Sequence, residues 1–126
     1  MKKMSREQWE NCYRRVSDHS AEKIIQAFRA AEQAGKKEFY INITEFMQFC
    51  FRLGKSLGWG PADMDTYNMF YQSAFTKIML DAGYNAQLSV HPGGKGMYWI
   101  RVELCDESEL PPGARDAAAR YRSGEM

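Results

Sequence analysis

Gly93-Gly94-Lys95-Gly96 sets a lysine among glycines, a combination that lets backbone approach a phosphate with an ammonium alongside. The spacing is wrong for a nucleotide loop, which needs GxxxxGK[ST] between a strand and a helix. Here the glycines separate two alternating apolar segments, so they close a hairpin. His19 and His91 are the two histidines, and neither has a Cys, Ser or carboxylate at relay spacing. Cys12, Cys50 and Cys105 are far apart, odd in number and without a CxxC pair. That argues against zinc or a disulfide framework and for reduced thiols in a cytoplasmic setting. Glu45, Asp63, Asp65 and Asp81 suit helix caps and solvated faces. No cofactor, metal or catalytic set is expected, and the chain does not read as an enzyme.

The remaining chemistry is that of contact. Asn68, Gln72, Ser73 and Thr76 offer amides and hydroxyls along one side of a helix, and Lys77 extends the set. Such groups can meet base edges, with Lys77 on a phosphate, or they form a solvated face. Asp63 and Asp65 stand in that helix's first turns and would oppose phosphates. Arg14 and Arg15, with Lys2, Lys3 and Arg6, make a basic set that is either a phosphate-contacting arm or a solvated face. Lys95 at the glycine tip can enter a minor groove or touch phosphate, unless the tip is an ordinary loop. Trp99, Tyr40 and Arg101, beside His91 and Met97, have the composition of a protein-interface hot spot. Alternatively, the C-terminal tail or an N-terminal helix folds over them. Met47 and Phe51 widen an apolar stripe beyond one core contact, so an N-terminal helix covers them or a partner does.

These groups need elements to hold them. Ser5 with Gln8 forms a capping box, and Trp9, Cys12, Tyr13, Val16, Ile24, Ala27, Phe28 and Ala31 keep helical phase to Gly35. Ser17-Asp18-His19-Ser20 interrupts the apolar content, which favours two helices, about 5–17 and 20–34, over one. Phe39–Ile43 alternates as a short strand, and Thr44 caps a helix ending near Gly58. Gly58-Trp59-Gly60-Pro61 turns the chain into a helix from Pro61 to Ala82. Ala86, Leu88 and Val90 alternate, and after His91–Gly96 so do Tyr98, Ile100, Val102 and Leu104: a β-hairpin. From Asp106 the chain turns polar, which reads as a mobile tail over 106–126 behind a single domain 1–105.

With 44% hydrophobic and 26% charged residues over 126 positions, the composition is that of one globular unit with a real core. No apolar run is long enough for a membrane span, so no membrane contact is expected. Net charge is +1 but uneven: residues 1–37 carry nine Lys/Arg against five Asp/Glu, and residues 38–83 carry three against five. A phosphate-facing surface would therefore draw on the N-terminal region and the hairpin tip.

Helix, strand, two helices and a glycine-tipped hairpin over Ala21–Cys105 resemble the winged helix-turn-helix superfamily. The resemblance is one of element order and covers about two thirds of the chain. It implies an α+β, winged-helix-like fold with an added N-terminal helix. It also implies a small DNA-binding regulator, possible homodimerisation, recognition residues Asn68, Gln72, Ser73, Thr76 and Lys77, and Lys95 in the wing. A minority of such proteins bind protein. Balanced charge, eight methionines and 17 aromatics (3 Trp, 7 Tyr, 7 Phe) fit that alternative, an adaptor or inhibitor docking on a larger machine.

Overall fold

A computed structural model describes residues 5–110 together with Gly113 and Asp116. The chain is α+β: α1 (Arg6–Gln33), β1 (Glu38–Asn42), α2 (Thr44–Ser56), α3 (Met64–Asp81), β2 (Ala86–Pro92) and β3 (Tyr98–Leu104). Short 3-10 turns lie at Pro61–Asp63 and Glu107–Glu109.

Ser5 opens α1 as expected: its hydroxyl accepts from the Gln8 amide at 3.1 Å while its own amide donates to Gln8 Oε1 at 3.1 Å. The expectation of two N-terminal helices is corrected, because α1 runs unbroken for 28 residues. The polar interruption keeps the phase of Cys12, Val16, Ile24 and Phe28, and Ser20 occupies the stripe position between them, 6% exposed. Its hydroxyl lies 2.8 Å from His19 Nδ1, and the His19 ring stacks on Phe49 at 4.1 Å. His19 and Ser20 thus find partners without a break in the helix. Among the described residues, no separate added helix precedes the helix–strand–helix–helix–hairpin order.

Helices α1, α2 and α3 end alike. Lys36 donates back to Ala31 and Gly35 to Glu32; Trp59 to Gly54 and Gly58 to Lys55; Tyr84 to Met79 and Gly83 to Leu80. These paired bonds require a left-handed residue, which Gly35, Gly58 and Gly83 supply with φ of 68°, 86° and 91°. Thr44 is not the cap of α2. Its amide donates to Asn42 Oδ1 at 3.0 Å, and its hydroxyl accepts from the Tyr98 amide at 3.0 Å. Thr44 therefore ties the start of α2 to the sheet. In the turn before α3, Trp59 is buried, edge-on to Tyr67 and Phe70, and its carbonyl accepts from Tyr67 Oη at 3.1 Å.

The sheet is antiparallel with order β1-β3-β2, so β1 ladders onto β3, the second strand of the hairpin. Cross-strand partners place Ile41 with Ile100 and Phe39 with Val102. These side chains turn toward the helices, where Phe28 meets Phe39, Phe75 and Tyr84, and Phe46 meets Phe75. Leu110 is also buried, so packing continues past Cys105. Beyond it the expected mobile tail lies outside the described residues, apart from Gly113 and Asp116.

Candidate functional site

Period-two alternation sends Tyr40 from β1, Trp99 and Arg101 from β3, and Ser89 and His91 from β2 to the face away from the helices. Register brings them together: Tyr40 is the cross-strand partner of Arg101, Arg101 of Ser89, and Trp99 of His91. Tyr40 is 54% exposed and meets the His91 ring edge-on at 6.1 Å. Trp99 is half-buried because its indole lies over the hairpin tip: a Cβ added at Gly93 would stand 2.8 Å from Trp99 Nε1. Only a glycine lets the ring settle there. The outward face is thus an aromatic tract of Tyr40, His91 and Trp99.

Arg101 is not a free cation. Its Nε donates to Glu38 Oε1 at 2.9 Å, and Nη1 stands 3.5 Å from Glu103 Oε2. The hydrogen bond to Arg101 holds the Glu38 carboxyl below its ordinary value, and the same bond raises the guanidinium. One arginine between two carboxylates leaves this face weakly acidic, which is poor for phosphate and compatible with protein. Glu38 and Glu103 were missing from the sequence-derived set; the β1–β3 register that pairs them is a tertiary fact.

The residues expected on the helix after the turn divide. Asp65, Asn68, Met69 and Gln72 are exposed, with Thr76 half-buried beside them and donating to the Gln72 carbonyl at 2.8 Å. Ser73 and Lys77 are half-buried, and Lys77 faces α1. Lys77 Nζ pairs with Asp81 at 3.2 Å and lies 5.4 Å from the centroid of the Tyr13 ring, its side chain 18% exposed. The open strip of α3 therefore carries a carboxylate, amides and a thioether. The i,i+4 spacing of Lys77 and Asp81 was a signal available in the sequence.

Arg14 is exposed on α1 and borders, with Trp9, Tyr13, Ser17, Asp18 and Lys77, a shallow groove of about 330 Å³ between α1 and α3. Trp9 and Tyr13 stack at 5.1 Å in it. Burial, then the nearby Asp81 carboxylate, pushes the Tyr13 hydroxyl up to about 12. Arg15 is exposed. Lys95 is exposed at the hairpin tip, with φ of 53° between Gly94 and Gly96 at 73° each. The structure thus joins Arg14 to Lys77, and Tyr40 to Trp99 and Arg101, on separate sides of the fold.

Met47 is corrected as a surface residue: at 5% exposure it belongs to the core, because α2 is packed against both α1 and α3. Phe51 is half-buried and edge-on to Tyr67 at 5.0 Å. All three cysteines are free thiols, and burial pushes Cys50 up to about 12. Among the described residues, no three His, Cys, Asp or Glu side chains converge as metal ligands, and no helix is long and apolar enough to cross a membrane.

Comparison of the chain with protein-family models, with curated proteins and with solved structures found no match.

Proposed function

We propose that this chain is a protein-binding module, an adaptor or inhibitor that docks through the outward face of its sheet. The observation that carries this reading is the Tyr40–His91–Trp99 tract, with Tyr40 and His91 exposed and Trp99 half-buried, beside an arginine that Glu38 and Glu103 already neutralise. Aromatic side chains and arginine are the residues that concentrate binding energy at protein interfaces. A flat strand surface with rigid rings loses little side-chain entropy on contact. A protein segment presenting apolar groups and neutral hydrogen-bond donors fits it; a phosphate backbone meets two carboxylates.

A photo-crosslinking amino acid at Tyr40, incorporated in the producing cell, tests this. It should join the chain to one stoichiometric protein, identified by mass spectrometry. Trp99→Ala should then weaken the purified complex by at least about 2 kcal/mol, some 30-fold, as expected of a hot spot. A complex indifferent to both Trp99→Ala and Tyr40→Ala removes the reading.

A second reading, a winged-helix regulator on duplex DNA, has its own support. The helix–strand–helix–helix–hairpin order and the β1-β3-β2 sheet are compatible with that architecture, and Arg14, Arg15 and Lys95 are exposed. The acidic, cation-poor strip of α3 counts against it.

A further inference from the structure

Among the described residues, the β1-β3-β2 order leaves β2 with one unpaired edge, and hydrogen-bond parity says which of its backbone groups point there. Leu104 donates to Lys37 and Ile43 to Tyr98, so even-numbered residues of β3 face β1. Odd-numbered residues of β3 therefore face β2, in agreement with the flanking bonds from Cys105 to Asn85 and from Gly93 to Met97. By register, Gln87, Ser89 and His91 spend their backbone groups on β3. Ala86, Leu88 and Val90 turn their N–H and C=O outward, and no described residue bonds those of Leu88 or Val90.

We infer that this edge pairs antiparallel with the same edge of a second copy of the chain, about a two-fold axis at Ser89, giving a six-stranded sheet. The strand is its own complement in that register. Leu88 of each copy exchanges both backbone bonds with Val90 of the other, and Ala86 donates to the Pro92 carbonyl. On the helix side, Leu88 meets Val90; Val90 is 36% exposed in the single chain. On the outward side, Ser89 meets Ser89 and Gln87 meets His91, so no like charges oppose each other.

Charge also distinguishes this edge from the other one. β1 carries Glu38 and follows Lys36-Lys37, the charged residues that blunt an edge against pairing. Along β2 there is no ammonium or carboxylate, and its proline comes at the last residue, Pro92, where only the carbonyl is needed. A seven-residue uncharged edge with half-exposed apolar side chains is the geometry that strand addition uses. The inference rests on the backbone of the strand edge and shares only His91 with the Tyr40–His91–Trp99 tract of the docking reading.

Light scattering on the full chain, from micromolar to millimolar loading, tests it. The mass should rise from 14.6 kDa toward twice that value. Ser89→Lys sets two ammonium groups opposite each other at the axis and should remain monomeric; Ser89→Glu should do the same. An equimolar mixture of the two should recover the dimer. Val90→Pro, which removes an N–H that points outward, should abolish dimerisation while far-UV circular dichroism stays native. Trp99→Ala should leave the dimer intact. A wild-type chain monomeric throughout, a dimer that survives Ser89→Lys or Val90→Pro, a mixture that fails to pair, or a dimer lost on Trp99→Ala would each overturn the inference.

Discussion

Lys95 sits where glycine would cost less. Its φ of 53° lies in the left-handed region, between glycines that adopt the same region freely. Lys95→Gly should therefore stabilise the fold by about 0.5–1 kcal/mol, measured by denaturant midpoint; a loss of stability would show that the side chain packs. Cys50 and Tyr13 give a second prediction, in pH. Both groups titrate higher in the fold, near 12, than at their ordinary values of 9.0 and 10.0. A raised value means that the fold holds the proton more tightly. The stabilisation is complete below the unfolded value and is lost as pH rises through the folded one. Melting temperature should thus stay level to about pH 8 and fall from pH 9 upward, each group adding at most about 1.4 kcal/mol per pH unit. Cys50→Ala should make the decline between pH 9 and 10 shallower, and an unchanged slope would acquit that thiol.

Gly54 shows how an element is fixed by a contact that sequence alone conceals. In mid-helix a glycine looks like a defect, and alanine there normally gains about 1 kcal/mol. In α2, however, a Cβ at Gly54 would stand 2.5 Å from Trp59 Cε3 and press on Tyr67 Cε1. Gly54→Ala should therefore destabilise by about 1–3 kcal/mol, lowering the melting temperature by roughly 4 °C per kcal/mol. Stabilisation would mean that α2 and α3 can part freely. What was legible beforehand follows the same division between local and tertiary causes. Period-two alternation in Phe39–Ile43 and Tyr98–Leu104 and the glycine helix stops act within a few residues, and both appear in the fold. The continuity of α1 through Ser17–Ser20 was obscured by four polar residues in a row, one of which, His19, stacks on Phe49 of another element. The Thr44 hydroxyl looked like a cap for the same reason; its partner is 54 residues away. In the candidate site, the outward placement of Tyr40, Trp99 and Arg101 was readable by alternation. The clamp of Glu38 and Glu103 on Arg101 was not, since register decides it.

For the whole molecule, charge distribution separates the two functional readings by a measurement that needs no knowledge of the partner. Lys77 and Arg101 are engaged with Asp81 and with Glu38 and Glu103 respectively, so neither is a ready phosphate contact. Arg14, Arg15 and Lys95 are the remaining exposed cations of the expected nucleic-acid set. If all three touched one duplex, the logarithm of affinity would fall with the logarithm of salt at a slope of about −3, from roughly 0.9 per neutralised phosphate. The protein-docking reading expects no such line: fluorescence anisotropy with labelled duplex should show no saturable binding even at low salt. Joint replacement of Arg14, Arg15 and Lys95 by alanine should then leave the crosslinked complex at Tyr40 unchanged. A saturable isotherm with a slope near −3, flattened by those same replacements, would reverse the order of the two readings, because the cations and not the aromatic tract would then carry the binding energy.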